Sequence, residues 1–253
     1  MTWRFLILLL VAGLVTSACG SSEGSTSENT TVKVAAAASL TEAFTAMAKE
    51  YESDHPGVRI MPTFAASSAL AQQVNDGAPV DVFASADEAN MKKVTDAGSA
   101  TGPRVFARNR LAILVAKGNP KGIKSLADLA NPGVVFLLCA PEVPCGRFGA
   151  AALTKAGIKA TPASLEENVK GVVSKVTLGE ADAGIVYSTD VKAAGDKVEG
   201  VGIDIAGDPA LTAAYPIAVT KQAEDAKAAN GWVDFVLSEQ GQRTLSRFGF
   251  LPP

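Results

Sequence analysis

From residue 32 onward, short apolar runs alternate with stretches whose apolar positions recur every three or four residues. The runs predict strands at 32–36, 58–62, 80–83, 111–116, 134–138, 183–187, 201–205 and 217–220. Helical patterns lie between most of them, and this alternation predicts an α/β fold with largely parallel sheets. Ser39-Leu-Thr-Glu42 reads as a capping box, followed by Leu40, Phe44, Met47 and Tyr51 at helical spacing. Ser67 or Ser68 opens a second helix with Leu70 and Val74 on one face, and Ser125-Leu-Ala-Asp128 a third. A helix from Cys145-Gly146 stops at Gly157, a C-cap glycine. Asn168 caps another, with Val169, Val172, Val173 and Val176 inward and Gly179 at its end. Residues 232–248 form an amphipathic segment carrying Trp232, Phe235, Val236, Leu245 and Phe248.

The first 31 residues break this pattern. Arg4 precedes an apolar run at 5–15 that is too short for a permanent span and ends in small residues. Residues 1–18 therefore read as a secretory signal peptide. Thr16-Ser17-Ala18-Cys19 resembles a bacterial lipobox, although Thr16 stands where an aliphatic residue is usual. It marks Cys19 for lipidation, which would anchor the exported chain to the outer face of the cell membrane. Residues 19–31 then form a tether, polar and rich in Ser, Thr and Gly.

Composition narrows the function classes. Apolar residues make up 47% of the chain and charged residues 19%, enough for a full core. Lys and Arg number 23 against 26 Asp and Glu, a formal charge of -3, so the basic excess of a nucleic-acid binder is missing. A single histidine, His55, rules out a His-rich metal site. His55 sits in the turn SDHPG and reads as a solvated loop residue, and there is no G-x-S-x-G. An exported serine hydrolase is thus a remote alternative. Cys139 and Cys145 stand six apart, with two prolines between them. An exported context permits a disulfide there; the alternatives are two free thiols or a metal pair, for which no further His or Cys ligand lies nearby.

Helix starts at AAAS39, AAS67S68, PC145G146 and N168V169 share small residues after a strand or loop. The first N–H groups of a helix lack intrahelical partners and carry partial positive charge, so several converging starts would form an anion site without Lys or Arg. Periodicity does not establish that they converge.

VKVAAAASLTEAF (32–44), FAASSALAQQVNDGAPVDVFASAD (64–87), VPCG (143–146), ENVKGVVSKVTLGEADAGIVYSTD (167–190) and the Ser238-Glu-Gln-Gly-Gln242 to Gly249-Phe250 ending follow one another in order. Together they resemble the molybdate-binding proteins of ABC transporters, the ModA type. That resemblance implies a two-lobed periplasmic-binding-protein fold of type II with the ligand cleft between lobes. Lobe one would hold 32–110 plus 215–253 and lobe two 111–214. It implies capture of molybdate or tungstate as the oxyanion, without direct metal coordination, cofactor or enzymatic activity. The partner would be the membrane permease of an ABC importer, and the protein a monomer. By motif, the oxyanion ligands would be the hydroxyls of Ser39 and Ser67, the N–H groups of Cys145 and Val169, and the phenol of Tyr187, with Ser68 a substitute for Ser67. Cys145 stands where the family often has Ala, a change in side chain only. Arg147 and Lys170 read as solvated helix residues, because the family relies on neutral donors.

A ring of fixed donors offers no acceptor to an anion that must keep a proton, which disfavours phosphate at neutral pH. Sulfate is smaller and would leave donors unfilled. The same fold binding sulfate or thiosulfate is the nearer alternative, and a surface adhesin a more distant one.

Overall fold

In the computed structural model, which describes residues 30–203 and 212–253, the chain enters the sheet at β1 (Thr30–Ala37). Thr30 and Thr31 therefore belong to the fold and not to the tether, since they pair in register with Val58 and Arg59 of β2 (Val58–Ala65). The signal peptide, Cys19 and the rest of the tether lie outside the described residues, as do residues 204–205 of the strand expected at 201–205.

β1 lies parallel between β2 and β3 (Val82–Ala84). α1 (Thr41–Asp54) links β1 to β2, α2 (Ser67–Asn75) links β2 to β3, and α3 (Glu88–Asp96) follows β3. The next strand, β4 (Ala100–Ala116), is 17 residues long and serves two neighbourhoods. Up to Arg110 it pairs antiparallel with β9 (Thr212–Thr220), which in turn pairs with β3. From Leu111 its partners are β7 (Ala183–Tyr187) and β8 (Val198–Gly202). β5 (Phe136–Cys139) then lies parallel to both β7 and β6 (Ser164–Glu166). The strand order is β2-β1-β3-β9-β4-β7-β5-β6, with β8 beside β4. The second half carries α4 (Pro144–Lys155), α5 (Val169–Thr177) and α6 (Ser188–Ala194), and the chain ends in α7 (Ala226–Leu237) and α8 (Glu239–Arg247).

Several expectations are corrected. The sheet is not largely parallel: among the described residues four strand pairings are parallel and four antiparallel. The parallel pairs are those closed by helical crossovers. β4 and β9 carry the chain between the two halves, and every pairing they make is antiparallel. Residues 100–110 did not read as strand because Gly102-Pro103 is turn chemistry. Here it falls where the β4–β9 register shifts, between Thr101 and Arg104, so an irregularity absorbs it.

The Ser39–Glu42 capping box does not form. Ala38–Leu40 make a 3-10 turn before α1, and Leu40 is the N-cap without a side-chain bond. Ser39 thus lies inside a helical turn, and its hydroxyl turns to Tyr215 instead. The segment 232–248 is two helices, because Ser238 is extended and its Oγ accepts from Gly241 N–H to start α8. The Asn168 cap forms as the sequence predicts, and Ser125 and Asp128 close a capping box at a helix start that is only a 3-10 turn, Leu126–Ala130.

The first half is held by an aromatic cluster in which Phe44 and Tyr51 each meet Trp232 edge-on at 5.6 Å, with Phe106 and Phe235 alongside. Ile113, Phe136, Val172 and Ile185 are buried in the second half. This packing ties α1 and the C-terminal helices to the sheet, so the loops after the strand ends start from fixed positions. Among the described residues, no helix is long and apolar enough to cross a membrane.

Candidate functional site

The loops that leave β1, β2, β5, β6 and β7 meet at one small, tight cavity. It is lined by Ala38 and Ser39, by Ala66 and Ser67, by Pro144 and Cys145, by Asn168 and Val169, and by Tyr187. All four of the helix starts singled out in the sequence therefore converge there, two from each half. The five residues Ser39, Ser67, Cys145, Val169 and Tyr187 all line this cavity. Ser68 does not; it lines a separate surface hollow with Gln72, Lys93 and Glu142.

The local bonding leaves donors over. Ser67 is buried, and its Oγ accepts from Ala86 N–H at 2.9 Å, so its own proton is not needed for that bond. The Asn168 side chain accepts from the N–H groups of Lys170 (3.0 Å) and Gly171 (3.2 Å), which leaves the Val169 N–H outside the cap. Pro144 occupies the first turn of α4, where a missing N–H costs nothing, and Cys145 follows it. The Tyr187 hydroxyl is buried beside the Tyr215 phenol, and no hydrogen bond of good geometry satisfies it. Burial, aided by Tyr215 and Asp190, holds its pKa well above the ordinary phenol value, so it stays a neutral donor. A buried unpaired hydroxyl is costly, and its position on the cavity wall marks where a ligand acceptor belongs.

Behind the wall lies a buried polar network that the sequence did not reveal. Ser39 Oγ and the Tyr215 hydroxyl are 2.9 Å apart. Asn109 Nδ2 donates to Thr189 Oγ1 at 2.8 Å and to the Tyr215 hydroxyl at 3.4 Å. Ser188 Oγ and Arg110 N–H donate to Asn109 Oδ1. These residues come from the 3-10 turn before α1, from β4, from β9 and from α6, so no spacing in the chain brings them together.

Arg147 and Lys170 are not solvated helix residues, as the sequence led us to expect. Arg147, on α4, pairs with Asp87, the buried N-cap of α3. Lys170 Nζ contacts both carboxylate oxygens of Glu42 and lies 3.2 Å from Asp190. Both are paired because α4 and α5 face α3 and α1 across the cavity, so the basic ends meet carboxylates. Burial opposes the charge on Lys170, but Asp190 and Glu42 outweigh it and its pKa is raised. Burial pushes the Asp190 carboxyl up to about 6, against the pull of Lys170 and the Tyr187 N–H. The charged groups therefore neutralise one another, and the cavity wall itself is built from neutral donors.

A disulfide joins Cys139, at the end of β5, to Cys145. It fixes the loop that offers the Cys145 backbone. Gly146 completes that junction: a Cβ there would lie 2.1 Å from the Ala140 carbonyl oxygen, so only glycine lets α4 start this close to β5. His55, by contrast, is exposed at the end of α1, its ring stacked on Tyr51. Among the described residues, no group of three or more His, Cys, Asp or Glu could hold a metal ion.

Residues 32–251 match the family model described as bacterial extracellular solute-binding protein. The chain is 41% identical over 252 residues to the molybdate-binding protein ModA of Mycobacterium tuberculosis, covering 97% of this chain and 95% of that one. Among solved structures it resembles the periplasmic molybdate-binding protein of Azotobacter vinelandii, with a TM-score of 0.75 at 21% identity over 88% of this chain and 99% of that one. It also resembles the sulfate-binding protein SubI of Mycobacterium tuberculosis, with a TM-score of 0.76 at 19% identity over 88% and 87%. At those identities the two structures establish the α/β fold, and the matches in sequence establish kinship: the chain belongs to the bacterial extracellular solute-binding proteins.

Proposed function

We propose that the protein captures molybdate, and tungstate with it, outside the cytoplasmic membrane and delivers the oxyanion to the permease of an ABC importer. The observation that carries this is the convergence of helix starts from both halves on one cavity, together with the unpartnered Tyr187 hydroxyl in its wall. The ligand set is Ser39, Ser67, Cys145, Val169 and Tyr187. The identity to a protein named for molybdate binding supports the choice of anion. A buried dianion needs several hydrogen bonds, and those to a charged acceptor are the strong ones. Neutral donors add no positive charge of their own, so selection rests on cavity size and on the absence of an acceptor for a protonated anion.

In this reading lobe one is 32–110 with 215–253 and lobe two is 111–214, and the anion bridges them. The exchange of β4 partners between Arg110 and Leu111 supports the first boundary. The protein is a monomeric carrier without enzymatic activity, anchored through a lipid on Cys19; the lipobox-like sequence and the polar tether after it support the anchor. Calorimetry with molybdate, tungstate, sulfate and phosphate tests the proposal. Tight binding of molybdate and tungstate, with sulfate and phosphate far weaker, is the expected result. Sulfate binding as tight as molybdate would overturn the assignment of the anion.

A further inference from the structure

We propose that Tyr215, oriented by Asn109, is a positioning residue that turns the Ser39 hydroxyl proton toward the cavity. One chain of hydrogen bonds starts from a group whose direction is certain. The Arg110 backbone N–H can only donate, and it lies 2.9 Å from Asn109 Oδ1. That contact settles which end of the Asn109 amide is oxygen, so the amide NH₂ is the end facing Thr189 and Tyr215. An NH₂ group has two protons, one for each of these partners. The Tyr215 oxygen thus accepts from Asn109, and its own proton goes to Ser39 Oγ, at 2.9 Å, rather than to the neighbouring Tyr187 hydroxyl, whose geometry closes no hydrogen bond. Once Ser39 Oγ accepts that proton, its own hydrogen is left to point elsewhere, and Ser39 lines the cavity.

A free serine hydroxyl serves as donor or acceptor with equal ease. An acceptor in the wall would welcome a protonated oxyanion such as hydrogen phosphate. A hydroxyl with its proton turned to the cavity and one of its two lone pairs taken from behind disfavours it, because the anion's own proton would face the serine hydrogen. Ser67 shows the same device in another form, since its oxygen accepts from the Ala86 N–H. Both wall hydroxyls are then set as donors by a group behind them. All three members of the relay, Asn109, Tyr215 and Ser39, are buried, so water does not compete for these bonds. The inference rests on the oxyanion reading above for its consequence, but the direction of the hydroxyl stands or falls by itself.

Two measurements separate these. Neutron diffraction from deuterium-exchanged crystals of the ligand-free protein reads the hydroxyls directly. The expected map places the Tyr215 deuteron on the line to Ser39 Oγ and the Ser39 deuteron away from Tyr215. A Ser39 deuteron on the Tyr215 oxygen, or a Tyr215 deuteron aimed at Tyr187, overturns the proposal. The second measurement is a double-mutant cycle in molybdate calorimetry with Tyr215→Phe, Ser39→Ala and both together. Tyr215→Phe should weaken molybdate by roughly three- to tenfold, the range of one neutral hydrogen bond. Its molybdate-to-phosphate ratio should fall as well. In the Ser39→Ala background the same substitution should cost under about twofold. An equal loss in both backgrounds would mean that Tyr215 acts by packing, and no loss that it does not act at all. If the neutron map is as expected but the unmodified protein ignores molybdate, the anion assignment fails and the relay stands.

Discussion

Lys170 Nζ lies 2.9 and 2.8 Å from the two carboxylate oxygens of Glu42, joining α5 to α1 on opposite sides of the cavity. With Arg147 and Asp87 it is one of two ion pairs among the described residues that span the proposed cleft. Both pairs must break if the lobes part, so they favour the closed form without touching the anion. Lys170 and Glu42 are 28% and 39% exposed, which keeps the gain small. Glu42→Gln removes this tie and leaves Asp190 its lysine. It should speed molybdate release and weaken binding by at most about fivefold, equivalent to about 1 kcal/mol. Stopped-flow release rates check this, and the difference from the unmodified protein should shrink at high salt.

Tyr187→Phe removes the buried hydroxyl that has no partner. Two effects of opposite sign follow. The ligand-free protein loses an unsatisfied polar group and should gain about 1 kcal/mol of stability. The complex loses a bond to a charged acceptor and should weaken by about 10- to 150-fold, from about 1.5–3 kcal/mol. Thermal unfolding without ligand, beside calorimetry with molybdate, reads both. A hydroxyl with a purely structural role would lower stability and leave affinity alone.

The sequence was most informative where a local rule acts alone. Strand cores, the caps at Ser125 and Asn168 and the stop at Gly157 follow from residues within a few positions of one another. The anion-ready helix starts were legible for the same reason, because orphan N–H groups belong to any helix. Their meeting at one cavity was not, since it depends on which strands pair; only the resemblance to a family supplied it. Ser39 shows the limit plainly. Its capping box is a good local pattern, yet Tyr215, 176 residues away, takes the hydroxyl and Lys170 takes Glu42. The Arg147 and Lys170 pairs were missed in the same way, because their carboxylates lie on distant helices.

Asp190 gives the protein a pH signature. Its folded pKa of about 6 lies above the ordinary 3.8, chiefly through burial. The native state therefore keeps this proton to a higher pH than the unfolded chain does, and stability falls as pH rises from about 4 to about 6. A shift of about two units corresponds to on the order of 3 kcal/mol. Asp190→Asn removes the titration. The stability of the unmodified protein relative to Asp190→Asn should drop by that order between pH 4 and pH 7, measured by denaturant unfolding. A difference that stays flat across this range would show that Lys170 holds the carboxylate ionised throughout.

The Cys139–Cys145 disulfide closes a loop with a separation of only six residues. Loop-closure entropy for so short a ring gives roughly 2–3 kcal/mol of stability. Cys139→Ala and Cys145→Ala each break the same bond, so they should cost about the same in denaturant unfolding. Their effects on the anion should also match. Cys145 lines the cavity, but the proposed ligand is its backbone N–H, which alanine retains. Gly146 still allows α4 to start against the Ala140 carbonyl, so the helix start should keep its place. Each variant should therefore bind molybdate within about fivefold of the unmodified protein, the loss reflecting a looser loop. Reduction of the unmodified protein should reproduce both effects. If Cys145→Ala loses binding while Cys139→Ala keeps it, the sulfur touches the anion directly and the backbone assignment fails. If both lose binding together, the disulfide holds the N–H in place, and preorganisation of that loop accounts for more of the affinity than the donor alone.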